Sequence, residues 1–176
     1  MTGRPNLVLV GFMGAGKSAV GRRAAELLDL VFVDSDAVIE AEAGMSIPEI
    51  FAAEGEAGFR ARERAILTQL ASERDLALAT GGGAFVDETV RRTLKASGVT
   101  VYLHAPFEVL WARVGSQPGR PLLAGEGAME RARALYASRQ AAYREADATV
   151  DASQALDDVT AAVVEVYRDR TRHENH

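Results

Sequence analysis

The segment Gly11–Ser18 constrains this chain more than any other feature of its sequence. It reads Gly-Phe-Met-Gly-Ala-Gly-Lys-Ser and fits the pattern Gly-x-x-x-x-Gly-Lys-Ser/Thr of a phosphate-binding P-loop. Residues 7–10 before it are apolar and partly β-branched, which predicts a buried strand. After it, Val20, Ala24 and residues 27–28 recur at helical spacing and predict a helix with one apolar face. The motif lies between a strand and a helix, and this context favours a P-loop over a capped, glycine-rich turn.

The residue types in this segment match the chemistry of a bound triphosphate. Gly11, Gly14 and Gly16 allow backbone conformations that a Cβ would hinder, so that successive N–H groups can wrap around a phosphate. The helix that begins near Lys17 points its positive end at the same phosphates. Lys17 adds a compact positive charge at the β/γ position, and the Ser18 hydroxyl can bind Mg²⁺. The segment thus predicts a nucleotide triphosphate and Mg²⁺ as cofactors.

The bulk composition is that of an ordinary globular protein. The chain has 176 residues, 48% of them hydrophobic and 26% charged, and we expect one domain over residues 1–170 with a disordered tail at 171–176. The net charge of −5 argues against general binding of nucleic acids or anionic membranes. The chain has no cysteine for disulfides or thiolate metal sites, and no apolar run reaches the roughly 18 residues of a membrane span. Because no signal-peptide pattern is seen either, we expect a cytoplasmic protein. We also expect a monomer.

Hydrophobic periodicity predicts alternating strands and helices, which is typical of a parallel sheet covered by helices on both faces. The predicted strands are at 7–10, 31–33, 76–79, 99–103 and 148–150. The predicted helices are at 17–28, from Ser35 as N-cap to Gly44, from Ser46 as N-cap onward, and at 58–74, 87–96, 106–114, 129–144 and 156–168. Residues 115–127 contain repeated Gly and Pro without an apolar period and predict a mobile loop.

Two carboxylates, Asp34 and Asp36, follow the second predicted strand. Because the carboxyl ends of parallel strands form the ligand crevice of such a sheet, we expect both near the P-loop. If the strand stays extended, the two side chains point to the same side. There they can hold Mg²⁺ or its waters, or bind an acceptor hydroxyl and take its proton. The alternative is that they merely enrich the first turn of the next helix in acidic residues.

Three consecutive glycines, Gly81, Gly82 and Gly83, follow the third predicted strand. Such a run costs backbone entropy unless the chain needs unusual angles or a close approach at that place. We expect a surface where a flat substrate lies against bare backbone. A loose turn is the alternative.

Arginines supply the candidate cations. Arg60 and Arg139 lie in predicted helices, where a solvated position is the usual one, and Glu56 can pair with Arg60. Arg120 lies at the centre of the Gly/Pro loop and could swing onto a transferring phosphoryl group, or stay a solvated loop cation. Arg113, near a helix end, could stack on a base or cap the carbonyl groups of that helix end.

These motifs, in this order, resemble the shikimate kinase family. The likeness extends over about residues 7–150 and rests on Gly11–Ser18, Asp-Ser-Asp at 34–36, Gly-Phe-Arg at 58–60 with Glu63, Ala-Thr-Gly-Gly-Gly at 79–83 and Arg-Pro-Leu-Leu at 120–123. The resemblance implies a three-layer α/β/α fold like that of nucleoside monophosphate kinases, with a five-stranded parallel sheet in the order 2-3-1-4-5 and a lid at about 115–127. It implies phosphoryl transfer from MgATP to the 3-hydroxyl of shikimate, in the pathway to the aromatic amino acids.

The resemblance also implies roles for individual residues. Ser18 resembles the Mg²⁺ ligand, and Asp34 resembles a carboxylate in the outer sphere of the metal. Asp36 resembles the residue that grips the hydroxyls of the acceptor and is the candidate base. The implied ATP-binding residues are Gly14, Ala15, Gly16, Lys17 as the phosphate lysine, Ser18, Ala19, Arg113 beside the adenine and Arg120 on the phosphates. The implied shikimate-binding residues, partly in a subregion at about 34–64, are Asp36, Gly82 through its backbone, and Arg60 and Arg139 on the carboxylate.

Two positions depart from the pattern of the family. Ala19 stands where the family usually has Thr, and the hydroxyl lost there predicts a modest effect on ATP affinity. Residues 140–143 read Gln-Ala-Ala-Tyr, where the family commonly has Asn or Ala followed by Pro-Leu-Tyr. The match at Tyr143 keeps Arg139 in register.

Three other functions share the P-loop. A gluconate or other sugar-acid kinase has the same fold and an anionic acceptor, but the triple glycine and the Arg-Pro-Leu-Leu segment favour shikimate. A nucleotide-dependent switch or assembly ATPase predicts a strand that ends in an Asp of its own, whereas the third strand here ends in Thr80-Gly81. An inactive homologue that only binds nucleotide is disfavoured by the intact Lys17, Ser18, Asp36 and Arg120.

Overall fold

The computed structural model describes residues 3–115 and 125–173. Its centre is a five-stranded parallel sheet in the order β2-β3-β1-β4-β5. The strands are β1 Asn6–Val10, β2 Val31–Asp34, β3 Leu76–Ala79, β4 Gly98–His104 and β5 Ala148–Asp151. The strand order and the parallel pairing confirm the predicted fold class.

Helices connect and flank these strands. The α-helices are α1 Lys17–Leu28, α2 Ser35–Ala43, α3 Ile47–Ser72, α4 Glu88–Ser97, α5 Phe107–Val114, α6 Ala128–Tyr143 and α7 Leu156–His173. A short 3₁₀ helix, Ala84–Val86, follows β3 and is not indicated by the sequence pattern. Right-handed crossovers put α1 on one face of the sheet and α3 and α4 on the other. In agreement with this, α1 packs on α7, and α3 packs on α4.

The core is built around β1, the central strand. Residues 7–10 are fully buried, because helices cover both faces of the sheet and both edges of β1 are paired. A strand buried on both faces needs no alternation of apolar and polar residues, which explains the continuous apolar run. On α1, Val20, Ala24 and Leu28 are buried as predicted. Leu27 is 58% exposed, so its assignment to the apolar face was wrong.

One predicted helix boundary needs correction. The N-cap of α2 is Asp34 rather than Ser35, since the Asp34 carboxylate accepts a hydrogen bond of 3.0 Å from the backbone N–H of Asp36. The segment α3 contains two helices that meet at Gly55, whose φ of +71° and ψ of −177° are not helical, and this confirms the separate helices predicted from Ser46 and at 58–74.

The chain end also differs from the prediction. Residues 171–173 belong to α7 rather than to a disordered tail, and the Thr171 hydroxyl donates a hydrogen bond of 2.9 Å to the Tyr167 carbonyl one turn earlier. Residues 174–176 lie outside the described residues, as do 116–124, which include Arg120 and most of the predicted lid. Within the described part of the chain, no helix combines the length and the apolar character needed to cross a membrane.

Candidate active site

One cleft of about 440 Å³ lies at the carboxyl edge of the sheet. It is lined by residues 13–19 of the P-loop and α1, by Asp36, by residues 80–82 after β3, and by Arg113. The segments after β1, β2 and β3 therefore converge, as expected for the switch point of a parallel sheet.

The P-loop has the backbone conformation that its glycines predict. Gly14 and Gly16 have φ of +82° and +90°, in the left-handed region that side chains disfavour. Gly14 also lacks space, because a Cβ there would lie 2.9 Å from the Val114 side chain. Lys17 folds back over the loop and donates hydrogen bonds to the carbonyls of Gly11 and Phe12, the latter at 3.2 Å. Its ammonium group therefore lies at the phosphate cradle itself.

Asp34 joins the P-loop to α2. One of its carboxylate oxygens accepts a hydrogen bond of 2.9 Å from the Ser18 hydroxyl, and the other caps α2. The strand does not stay extended through Asp36, which was the condition for the two carboxylates to share one side of it, because β2 ends at Asp34 and the helix begins at the next residue. Asp36 nevertheless reaches the same cleft, from the first turn of α2.

Asp36 is a carboxylate held in an unfavourable environment. Its Oδ1 is buried and has no hydrogen-bond partner among the described residues. Burial raises the pKa of Asp36 to about 6, and the nearby carboxylates of Asp34 and Glu63 add to this, while Lys17 opposes it. A hydroxyl that donates a hydrogen bond to such a carboxylate stabilises its charged form.

Arg60 is held by Glu63 rather than mainly by Glu56. Its Nη1 donates a hydrogen bond of 2.8 Å to Glu63 Oε1, whereas Glu56 is exposed and 3.9 Å away. Glu63 is only 3% exposed, its Oε2 has no partner among the described residues, and burial raises its pKa against the effect of Arg60. Our sequence reasoning gave Glu63 no role; the signal was an acid three residues after Arg60 on the same helix face.

The triple-glycine loop, residues 81–83, lies against charged side chains. A Cβ on Gly81 would lie 2.8 Å from Asp36 Oδ1 and 3.2 Å from Glu63 Oε2. A Cβ on Gly82 would lie 3.1 Å from Arg139 Nη1, and one on Gly83 would lie 2.5 Å from Arg60 Nη2. Of the two readings of this loop, close approach is therefore the one observed.

The remaining candidate arginines differ in their positions. The Arg139 guanidinium lies 5.7 Å from the ring centroid of Phe12, within the P-loop, and so is not a solvated helix cation. Arg113 donates hydrogen bonds to the carbonyls of Gly14, at 3.1 Å, and Ala152, at 2.8 Å, so it bridges the P-loop and the turn after β5. These are not carbonyls of its own helix end, which was one of its two predicted roles.

The sequence is similar to those of shikimate kinases. The family model described as shikimate kinase matches residues 13–168. The shikimate kinase of Aromatoleum aromaticum is 49% identical over 146 residues, which are 82% of this chain and 83% of that protein.

The fold is similar to solved structures of two kinds of kinase. A shikimate kinase from Acinetobacter baumannii, solved in complex with shikimate, superposes with a TM-score of 0.90 and 43% identity, over 95% of this chain and 94% of that chain. A gluconokinase from Sinorhizobium meliloti superposes with a TM-score of 0.66 and 19% identity, over 97% of this chain and 95% of that chain. The second likeness concerns the fold alone.

Proposed function

This chain belongs to the shikimate kinase family, and we propose that it transfers the γ-phosphoryl group of MgATP to the 3-hydroxyl of shikimate. The observation that carries the proposal is a pair of guanidinium groups, from Arg60 and Arg139, against bare glycine backbone beside a P-loop. One side of the cleft suits a triphosphate, and the other suits a small carboxylate. A carboxyl group able to bind a hydroxyl, that of Asp36, lies between them.

We assign the acceptor carboxylate to Arg60, Arg139 and the backbone of Gly82. Two planar guanidiniums can each bind a carboxylate through parallel N–H donors, which fixes its orientation as well as its charge. Glu63 contacts Nη1 of Arg60 at 2.8 Å and fixes the orientation of the guanidinium, while the Arg60 side chain is 30% exposed and has further N–H groups for a carboxylate. Since the glycines carry no side chains, the acceptor ring can lie close to the backbone.

Asp36 is the residue that we propose to bind the acceptor hydroxyl and to act as the base. With a pKa of about 6 it is mostly ionised at pH 7, yet it holds a proton more strongly than an ordinary aspartate does. As the acceptor oxygen attacks the γ-phosphorus, its O–H bond breaks and the proton passes to Asp36. The bond from the γ-phosphorus to the bridging oxygen breaks at the same centre, and ADP leaves.

The nucleotide side is assigned to residues 14–19. The P-loop N–H groups and Lys17 neutralise the phosphates, and Ser18 with Asp34 would hold Mg²⁺. Their donor set fits this ion, because nucleotide-bound Mg²⁺ takes few protein ligands, all of them oxygens. When bound, the ion would neutralise charge on the β- and γ-phosphates. We further assign Arg113 to the adenine side and Arg120 to the phosphates.

A sugar-acid kinase is the second candidate, because the guanidinium groups of Arg60 and Arg139 could also bind the carboxylate of a sugar acid. A switch ATPase is disfavoured by the end of β3, where the Thr80 hydroxyl donates a hydrogen bond of 2.9 Å to the Leu9 carbonyl in place of an acidic side chain.

A coupled ADP-release assay tests the proposal. Purified protein with MgATP is given shikimate, gluconate or a nucleoside monophosphate in turn. We expect ADP release to depend on shikimate, with gluconate and nucleotides near background. Faster turnover with gluconate would favour the second candidate, and ATP consumption that no acceptor accelerates would overturn the proposal.

A further inference from the structure

The hydroxyl of Tyr143 links α6 to the triple-glycine loop. Tyr143 is fully buried, and its hydroxyl donates a hydrogen bond to the carbonyl of Gly82. Its ring stacks on that of Tyr102, with centroids 5.0 Å apart and an angle of 28° between the planes. The packing of the ring therefore holds the hydroxyl in one place.

The three glycine carbonyls are paired in two different ways. Those of Gly81 and Gly83 accept hydrogen bonds from Ala84 at 3.2 Å and Val86 at 3.3 Å, within the 3₁₀ turn that follows. The Gly82 carbonyl is instead paired with Tyr143, from a different helix. Because the C=O of one residue and the N–H of the next share a rigid plane, this bond fixes the rotation of the peptide between Gly82 and Gly83.

The same helix carries one of the two arginines assigned to the carboxylate. Arg139 and Tyr143 are four residues apart in α6 and so share a helix face. Both reach Gly82: Tyr143 through the hydrogen bond, and Arg139 with Nη1 at 3.1 Å from the position that a Cβ would occupy. The Tyr143 hydroxyl thus joins the loop and the helix that together form the acceptor side of the cleft.

We propose that Tyr143 is a positioning residue for the acceptor carboxylate, and that its hydroxyl sets the orientation of the peptide between Gly82 and Gly83 relative to Arg139. This inference rests on the proposed function, since it needs a carboxylate at that place. Burial raises the pKa of Tyr143 to about 12, although Arg139 lowers it, so the hydroxyl stays protonated and donating at neutral pH.

Tyr143→Phe tests the inference, because it removes the hydroxyl and keeps the stacked ring. We expect the KM for shikimate to rise about tenfold, with kcat and the KM for ATP changed less than about twofold. The matched control is Tyr167→Phe. Tyr167 is also buried, and its hydroxyl donates a hydrogen bond of 2.6 Å to the carbonyl of Pro5, at the edge of the sheet opposite the cleft. The control should lose similar thermal stability and keep its KM for shikimate.

A second readout separates positioning from general damage. The ratio of kcat/KM for shikimate to that for its methyl ester should fall about tenfold in Tyr143→Phe, because only the charged acceptor uses the carboxylate site. An unchanged ratio, or equal rises in KM for both variants, would overturn the inference. A Tyr143→Phe protein that does not fold would assign the hydroxyl to the stability of the fold, and would overturn it too. A wild-type protein that does not phosphorylate shikimate would overturn the proposed function itself, whereas an active wild type with a null result for Tyr143→Phe overturns this inference alone.

Discussion

The cleft is bordered by two glycine-rich segments that need glycine for different physical reasons. In the P-loop, Gly14 and Gly16 adopt left-handed backbone conformations, which almost any side chain would strain. In the triple-glycine loop, none of residues 81–83 has φ in the left-handed region, and Gly83, for example, has φ of −95°. There the requirement is space, since charged side chains from α2, α3 and α6 approach the bare backbone.

The difference separates the general from the specific part of the site. A P-loop depends on local backbone geometry, so it can serve any nucleotide triphosphate and can be recognised from its own eight residues. The triple-glycine loop has meaning only through the side chains that distant segments bring to it. Those side chains include both signs of charge, and they select which acceptor can lie on the loop.

Asp36 lies where the P-loop and the triple-glycine loop meet, and its replacement should have the largest effect on phosphoryl transfer. In Asp36→Asn we expect the rate of phosphoryl transfer to fall by about 10²–10⁴, because the reacting hydroxyl loses the carboxylate that binds it and takes its proton. ATP binding, which belongs to the P-loop, should be nearly unchanged. ADP release and calorimetric ATP titration measure the two effects, with exposed Asp157→Asn as the control. Full activity in Asp36→Asn would mean that Asp36 has neither role.

Lys17→Ala tests the opposite side of the comparison. Loss of the ammonium group at the phosphate cradle should lower kcat by about 10²–10³, while shikimate binding measured by calorimetry stays intact. The other lysine of the chain, Lys95, offers a matched control. It lies away from the cleft, and its Nζ is 4.0 Å from a carboxylate oxygen of Asp147. If Lys95→Ala and Lys17→Ala had the same effect, the P-loop assignment would be wrong.

The sequence predicted the two segments unequally well. The strand order came with the family resemblance, and the convergence of segments after β1, β2 and β3 follows from the topology of a parallel sheet. The contact of Glu63 with Arg60 joins residues three apart in α3 and could be derived from their spacing. The contact of Tyr143 with Gly82 could not be derived in the same way, because it depends on the angle at which α6 crosses the sheet edge, which periodicity does not determine. The cap at Asp34 was misplaced by one residue for a related reason, since two adjacent polar residues could each accept the bond.

Matched glycine substitutions test the comparison directly. Gly14→Ala should destabilise the fold by about 1–3 kcal/mol and weaken ATP binding, because φ is +82° and the nearest atoms belong to the packed Val114 and Leu110. In Gly82→Ala the new Cβ is crowded by the end of the flexible Arg139 side chain and meets backbone atoms at no less than 3.8 Å, so the fold should stay stable while the KM for shikimate rises about tenfold. Thermal melts and steady-state kinetics measure both. Equal loss of stability in the two variants would contradict the distinction between conformation and space.

The charge of Asp36, on the acceptor side of the cleft, also lowers the stability of the folded protein. Asp36 is partly buried, with its Oδ1 enclosed, beside two other carboxylates, and in the folded protein its pKa is about 6, against 3.8 for an ordinary aspartate. The folded state therefore binds a proton more strongly than the unfolded state does between about pH 4 and pH 6. The free energy of unfolding should fall as the pH rises through this window, and the full cost should remain above it.

Asp36→Asn should accordingly raise the stability of the fold while it lowers the rate of phosphoryl transfer. We expect the variant to exceed the wild type by about 2–3 kcal/mol at pH 7.5, with a Tm higher by several degrees, and the difference should shrink as the pH falls from about 6 to about 4, where Asp36 becomes protonated in both states. Asp87→Asn is the control of opposite sign. A hydrogen bond from Arg64 lowers the pKa of Asp87, so its charged form stabilises the fold, and the substitution should lower the Tm slightly at pH 7.5. Thermal melts of both variants from pH 4 to pH 8 measure these changes in Tm. Changes of equal size and the same sign in the two variants would show that the charge of Asp36 does not destabilise the fold.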